Sequence, residues 1–128
     1  MKRVRLAVAV FALALGAGVL GARAVAVETN YCSDDAPPAA DTVIMLATSW
    51  CPYCAKARKF LQARGVDYCE YDIEQSPVGE ALHDRSGQRG IPVILIDGRV
   101  IGGYDPDELS LALKKRDQRR PQNRPDSV

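Results

Sequence analysis

The sequence has little of what several common functional sites require. Its 128 residues include one histidine, His83, and four cysteines, of which only Cys51 and Cys54 are closely spaced. A zinc site built on a Cys-x-x-Cys pair needs a second such pair or histidines, so we expect no metal site. The net charge is only +1, and no basic face carries aromatic residues at a regular spacing. Nucleic-acid binding is therefore not expected either.

Long apolar runs are scarce as well, and the longest lies at the N-terminus. The run from Leu6 to Leu20 contains no charge, and it follows the basic residues Lys2, Arg3 and Arg5. It is shorter than the about 20 residues that a membrane-spanning helix prefers. The small residues Ala24-Val25-Ala26 then form a pattern that a signal peptidase accepts. These features predict an export signal rather than a permanent anchor.

The predicted signal peptide covers residues 1–26, so the mature protein should begin near Val27, outside the cytoplasm and in the periplasm. No cysteine stands at the cleavage site, which argues against a lipoprotein. Cleavage removes four of the 17 Lys and Arg residues and none of the 16 Asp and Glu residues, which leaves a net charge of −3. We expect contact with the membrane only through an uncleaved signal, and a monomeric mature protein.

The remaining chain divides into three parts by composition. Residues 27–41 are polar and contain Pro37-Pro38, so they are predicted to form an extended arm. Residues 42–114 alternate apolar runs with turn signals and should form the folded domain. Residues 115–128 are basic and rich in Gln, Pro and Asn, a composition that predicts a disordered tail.

The closely spaced cysteines lie where a predicted strand is followed by a helix. Residues 42–47 are apolar and β-branched, which indicates a buried strand. Residues 55–64 contain no Gly or Pro and are good helix formers, and Pro52 fits the first turn. Free N–H groups and the positive end of the helix dipole favour a thiolate on Cys51 at this position. Cys54 would follow one turn later on the buried stripe, shielded from solvent.

This placement predicts thiol–disulfide exchange. The thiolate attacks disulfides, so Cys51 is expected to be the exposed nucleophile, and Cys54 is close enough to resolve the resulting mixed disulfide. A purely structural disulfide is the alternative interpretation from the motif alone. A binding module in which the two thiolates hold a soft metal or a cluster is a further alternative.

The elements after the first helix complete an α/β fold. Residues 66–73 read as a second strand, and Ser76-Pro77 begins a short helix that ends at Gly87 and carries His83 on its surface. Asp97-Gly98 between two apolar runs predicts a tight hairpin, and Asp105-Pro106 begins a last helix. The order β-α-β-α-β-β-α predicts a four-stranded mixed sheet flanked by three helices.

Three separated blocks closely resemble the glutaredoxin family, whose fold is the thioredoxin fold. The blocks are Cys51-Pro52-Tyr53-Cys54, the stretch from Gly87 to Pro92, and the stretch from Ile101 to Asp105. The resemblance implies a cis Ile91–Pro92 bond beside the cysteines and a groove for glutathione. The groove residues that it implies are Tyr53, Arg89, Ile91, Pro92, Gly103, Tyr104 and Asp105.

The family resemblance also implies the substrates. No cofactor is expected to stay bound; glutathione is the expected co-substrate, and the partners are glutathione mixed disulfides or disulfide-containing proteins. Thr48 stands where the family often has a lysine for a glutathione carboxylate, and Gly90 where it commonly has a threonine. Arg89 could replace the missing cation. A thioredoxin-type protein reductase or oxidase that ignores glutathione is the nearest alternative.

The two other cysteines are predicted to form a second disulfide. Cys32 lies in the arm and Cys69 on the second strand, which this fold places at a sheet edge that an arm could reach. In an oxidising compartment two further cysteines are more often paired than free. A Cys32–Cys69 bond would therefore agree with export.

Overall fold

The computed structural model describes residues 29–120. The predicted signal peptide and residues 121–128 of the predicted tail lie outside the described residues. No helix within residues 29–120 is both long and apolar enough to cross a membrane.

Four strands form one mixed sheet. They are β1 (Val43–Ala47), β2 (Tyr68–Asp72), β3 (Val93–Ile96) and β4 (Arg99–Gly102), and their order in the sheet is β2-β1-β3-β4. β1 pairs with β2 in parallel, and the β1–β3 and β3–β4 pairs are antiparallel. The predicted hairpin at Asp97-Gly98 joins β3 to β4, and both turn residues have positive φ, as such a tight turn requires.

Three helices cover the sheet: α1 (Pro52–Ala63), α2 (Pro77–Ser86) and α3 (Pro106–Arg119). Each begins with a proline after a residue whose side chain accepts main-chain N–H bonds, namely Cys51, Ser76 and Asp105. Proline lacks the N–H that a first-turn residue would leave unpaired, so these three sequences start helices at little cost. The order of elements and the mixed sheet confirm the predicted α/β fold.

Alternation along β1 divides the core between the two faces of the sheet. Val43, Met45 and Ala47 point to the face that α1 and α3 cover, whereas Leu46 packs on the other face with α2. The larger cluster includes Cys54, so α1 is attached to the core through the stripe that carries the cysteine pair. The sheet and α1 therefore hold the cysteines on a rigid base.

The N-terminal arm lies along the free edge of β2. Tyr31 forms a parallel bridge with Glu70, the Cys32 N–H donates to the Glu70 carbonyl at 2.9 Å, and the Glu70 N–H donates to the Asn30 carbonyl at 2.8 Å. The Cys32–Cys69 disulfide is formed, with the two Cα atoms 5.0 Å apart. The arm thus covers an edge that would otherwise expose unpaired backbone groups.

The C-terminal boundary differs from the prediction. A disordered tail was expected from residue 115, but α3 continues to Arg119. Its buried residues Leu109, Ala112, Leu113 and Arg116 follow the i, i+3, i+4, i+7 spacing of one helix face. Arg116 extends the face because its methylene stem can be buried like an apolar side chain, a property that a count of basic residues does not reveal.

Candidate active site

Cys51 occupies the N-cap of α1. Its sulfur accepts a hydrogen bond from the Cys54 N–H at 3.2 Å and lies 3.9 Å from the Ile91 carbonyl oxygen. An N-cap side chain normally satisfies a free N–H of the first turn, and here a sulfur atom does so. Because the donor is an N–H at the positive end of a helix, it favours negative charge on that sulfur.

Cys54 lies one turn further along α1 and is completely buried. The pKa of its thiol is raised to about 12, mainly by burial and also by the hydrogen bond and the charge of the Cys51 sulfur. The Thr48 main-chain N–H and the charge of Arg58 act in the opposite direction. Cys54 is therefore a neutral thiol at neutral pH, as expected for a group that acts second.

The predicted contrast in exposure is smaller than expected. Cys51 was expected to be exposed, but only 6% of its surface is accessible, compared with 0% for Cys54. Ile91 packs against the same cluster and its carbonyl lies over the Cys51 sulfur, so the loop before β3 covers the site. Ile91 is 40 residues from Cys51 in the sequence, so the spacing of residues around the cysteines does not show that it covers Cys51.

Two aromatic side chains flank the cysteines on the surface. Trp50 is 66% exposed and Tyr53 58% exposed. The Trp50 indole N–H lies 3.1 Å from both carboxylate oxygens of Glu74, and the Lys56 ammonium lies 5.0 Å from the centre of the Tyr53 ring. Both rings are thus held in place at the entrance to the site while remaining open to solvent.

The loop before β3 brings part of the predicted groove to the cysteines. The Ile91–Pro92 peptide bond is cis. The Gly103 N–H donates to the Pro92 carbonyl at 2.7 Å, which ties the end of β4 to this loop. Ile91, Pro92 and Gly103 therefore lie together beside Cys51.

Tyr104, Asp105 and Arg89, which were also predicted to line the groove, make contacts with other parts of the structure or are exposed. The Tyr104 ring packs edge-to-face on Phe60 with centroids 6.1 Å apart, and Asp105 accepts from the N–H groups of Asp107 and Glu108 as the cap of α3. Arg89 is exposed on the loop. Thr48 is buried, and its hydroxyl has no hydrogen-bond partner, so this position presents no polar group at the surface.

His83 has a role that sequence reasoning missed. It is partly exposed, as expected of a surface residue, and its Nε2 atom also lies 2.9 Å from the Gly90 carbonyl oxygen. The Gln88 side chain lies so close to the Gly102 Cα that a Cβ there would meet its Oε1 atom at 2.2 Å. These contacts fasten the loop to α2 and β4. The glycines at 87 and 90 were the available signal, because they allow the chain to turn back on α2.

Arg58 connects α1 to β2. Its guanidinium forms two hydrogen bonds of 2.8 Å with the carboxylate of Glu70 on β2. Glu70 is buried, and Arg58 is largely covered. The two residues are 12 positions apart, and only the crossover from α1 to β2 brings them together.

The residues that could hold a metal are few. Within residues 29–120 no group of three or more His, Cys, Asp and Glu side chains is arranged to bind a metal ion. The two free thiols stand alone as donors in the site. Their arrangement instead suits a reaction that makes and breaks a bond between them.

Comparison with known proteins points to one family. The glutaredoxin family model matches residues 43–101, which include both cysteines and the Ile91–Pro92 bond. The glutaredoxin of Pseudomonas aeruginosa is 38% identical over 64 residues, which cover 49% of this chain and 76% of that protein. A glutaredoxin-like 8.6 kDa protein in the rubredoxin operon of Clostridium pasteurianum is 30% identical over 70 residues, 54% of this chain and 93% of the relative.

Solved structures show the same similarity. The crystal structure of a glutaredoxin from Archaeoglobus fulgidus aligns with a TM-score of 0.52 at 28% identity, covering 58% of this chain and 87% of the other. A thioredoxin-like protein aligns with a TM-score of 0.54 at 26% identity, covering 57% and 95%. The arm and the end of α3 contribute to the part of the chain outside the family match at residues 43–101.

Proposed function

The chain belongs to the glutaredoxin family and is a thiol–disulfide oxidoreductase, and we propose that Cys51 attacks its substrates and Cys54 resolves them. The observation that carries this assignment is the hydrogen bond from the Cys54 N–H to the Cys51 sulfur. It stabilises charge on Cys51, whereas burial keeps the Cys54 thiol protonated. The two sulfurs therefore differ in reactivity although both are shielded.

The proposed reaction transfers two electrons in two exchanges. The Cys51 thiolate attacks one sulfur of a substrate disulfide, a mixed disulfide forms, and the other substrate sulfur leaves as a thiolate. Cys54 then loses its proton and attacks the Cys51 sulfur, which releases the second substrate thiol. The protein ends with a Cys51–Cys54 bond and the substrate disulfide is reduced; the reverse sequence oxidises a dithiol.

Glutathione mixed disulfides are the substrates that we propose first. The Ile91 main chain beside Cys51 offers backbone groups that could pair with a short extended peptide, and glutathione is such a peptide. A second candidate is the disulfide of a folded or unfolded protein. The exposed rings of Trp50 and Tyr53 favour it, since fixed aromatic side chains are frequent contact points at polypeptide interfaces.

Trapping on a Cys54→Ser variant separates these substrates. The variant retains the first attack and cannot resolve, so it should accumulate an adduct on Cys51 that intact-mass measurement identifies. Incubation with oxidised glutathione should add one glutathione, and Cys51→Ser is the matched control that should add none. A protein adduct without any glutathione adduct would refute the glutathione proposal. An adduct on Cys54 in the Cys51→Ser control would reverse the assigned roles.

We also propose that the protein is exported to an oxidising compartment. The basic start and apolar run of residues 1–26 support this, and so does the Cys32–Cys69 bond, because disulfides persist mainly outside the reducing cytosol. Mass measurement on protein recovered from its native host should give an N-terminus at or near Val27. Recovery of the full-length chain from the cytosol would refute export.

A further inference from the structure

A buried pair of opposite charges lies behind the cysteines. The Arg58 Nε and Nη2 atoms each donate to one carboxylate oxygen of Glu70 at 2.8 Å. The Arg58 side chain is 12% exposed and the Glu70 side chain 2% exposed. Charges removed from water to this extent are retained only when they are paired with good geometry, and a two-bond Arg–carboxylate contact supplies it.

The main chain that carries this carboxylate is held on both sides of β2. On one side the Glu70 N–H and carbonyl bond to the arm, at Asn30 and Cys32, and Cys69 is covalently joined to Cys32. On the other side β2 pairs with β1. The carboxylate accepts both guanidinium bonds and so holds Arg58 against β2 instead of leaving it in solvent.

Arg58 lies one turn after Cys54 on α1. Residues four positions apart on a helix are neighbours, about 5–6 Å between Cβ atoms. The Cys51 sulfur, the Thr48 main chain and the Arg58 guanidinium all act on the buried Cys54 sulfur, and Arg58 is the cation among these three. Its charge lowers the pKa of the Cys54 thiol against the larger rise that burial causes.

We propose that Arg58, held in place by Glu70, is a positioning residue for the resolving step, in which its charge stabilises the Cys54 thiolate that attacks the mixed disulfide on Cys51. The proposal rests on the roles assigned to the two cysteines above. In this step the proton of Cys54 passes to solvent, a Cys54–Cys51 bond forms, the bond between Cys51 and the substrate sulfur breaks, and the substrate leaves as a thiolate. Arg58 touches none of the reacting atoms.

The expected effect follows from the dependence of exchange on thiolate concentration. Raising the pKa of an attacking thiol by one unit lowers its thiolate fraction about 10-fold but raises its nucleophilicity, so the net rate falls only about 3-fold. Loss of this cation should raise the pKa of the Cys54 thiol. Arg58→Met is therefore expected to slow resolution by about 3-fold or more.

A chromogenic disulfide separates the two steps. Reduced protein mixed with 5,5′-dithiobis(2-nitrobenzoate) should release thionitrobenzoate twice: first at a rate proportional to reagent concentration, from attack by Cys51, and then at a rate independent of it, from attack by Cys54. Arg58→Lys keeps the charge. Arg58→Met/Glu70→Leu removes both charges, so that no unpaired carboxylate prevents folding. Lys59→Met, an exposed cation of the same helix, is the matched control.

The second release should slow about 3-fold or more in Arg58→Met, where the Glu70 carboxylate remains, and by less in the double variant, where both charges are gone. Its pH profile should move to higher pH in both variants. Arg58→Lys should stay within about 2-fold of the parent and Lys59→Met should be unchanged, with the first release equal in all four. A parent-like second release in the folded double variant would overturn the proposal, as would equal slowing of both releases. Failure of the first release in the parent protein would instead refute the role of Cys51.

Discussion

At the scale of single residues, one helix start gives two cysteines different chemistry. Cys51 stands before the first turn and accepts the Cys54 N–H, while Cys54 stands inside the turn and faces the core. The proline between them makes this start favourable because its missing N–H would have had no helical partner. Reactivity is thus assigned by position along a helix rather than by residue type.

Alkylation across pH tests this difference. Burial raises the pKa of the Cys54 thiol to about 12, so at pH 7 to 9 the protonated form predominates. Iodoacetamide on the reduced protein should modify Cys51 there and leave Cys54 unmodified, with Cys54 labelling rising only at strongly alkaline pH. Peptide mapping by mass spectrometry measures both sites. Equal labelling at pH 8 in folded protein would contradict the buried, protonated Cys54.

The raised pKa of Cys54 also predicts how the stability of the reduced protein changes with pH. The pKa of this thiol is higher in the folded state than its unfolded value of about 8.5. Such a group stabilises the folded state most at pH values where it is protonated in both states. This contribution is complete below about pH 8.5 and is lost as pH rises towards 12. The reduced protein should therefore lose stability above pH 9 more steeply than a Cys54→Ala variant, as measured by urea unfolding at a series of pH values.

At the scale of elements, the sequence predicted the starts of the helices and the hairpin better than it predicted where the last helix ends. Pro52, Ser76-Pro77 and Asp105-Pro106 each mark a helix start through local chemistry, and all three predictions agree with the structure. The end of α3 was placed five residues early, because the basic residues after Lys114 indicated a tail. Burial of Arg116 depends on what α3 packs against, which no local pattern states.

Substitution of Arg116 tests why α3 continues. The guanidinium pairs with the exposed carboxylate of Asp117, and its buried Nη1 atom has no hydrogen-bond partner among residues 29–120. Because an ion pair with an exposed partner contributes little, the favourable contribution should come mainly from the methylene stem. Arg116→Ala should lower the free energy of unfolding by about 1–2 kcal/mol, whereas Arg116→Met, which keeps the stem, should change it by less than about 0.5 kcal/mol. Urea unfolding measures both.

A matched control for this comparison is Arg119→Ala. Arg119 lies in the same last turns of α3 and contacts Asp97 at 3.1 Å, but its side chain is mostly exposed. Exposed ion pairs contribute at most about 1 kcal/mol. If Arg116→Met were as destabilising as Arg116→Ala, charge rather than packing would hold the end of the helix.

At the scale of the whole molecule, the fold joins segments that local sequence signals leave unrelated. The position of the cysteine pair at a helix start was predictable, because four consecutive residues contain both cysteines and the proline between them. The His83 contact with Gly90 and the Arg58–Glu70 pair were not, since each joins residues that come together only in the folded chain. The position of Ile91 and Pro92 beside Cys51 was available only from the family resemblance. The arm lies between these cases: its disulfide to β2 was predicted, but its backbone hydrogen bonds along that edge were not.

The arm should stabilise the whole domain through its disulfide. Cys32 and Cys69 are 37 residues apart, and on the chain-entropy model closing a loop of that length restricts the unfolded chain by about 3–4 kcal/mol. Cys32→Ser/Cys69→Ser should lose about that much free energy of unfolding in urea. Cys51 and Cys54 should be serine in both proteins compared, so that only one bridge differs.

The loss should begin at the edge of β2. Without the bridge, the arm is held by hydrogen bonds, among them the backbone bonds of Asn30 and Cys32 to Glu70 and the bond from the Tyr71 hydroxyl to the Ser33 carbonyl. Amide hydrogen exchange at Glu70 and Cys32 should therefore accelerate before exchange in β1 or β3 does. A variant that unfolds with the parent's free energy, or whose Glu70 amide stays as protected as the β1 amides, would show that the hydrogen bonds alone secure the arm.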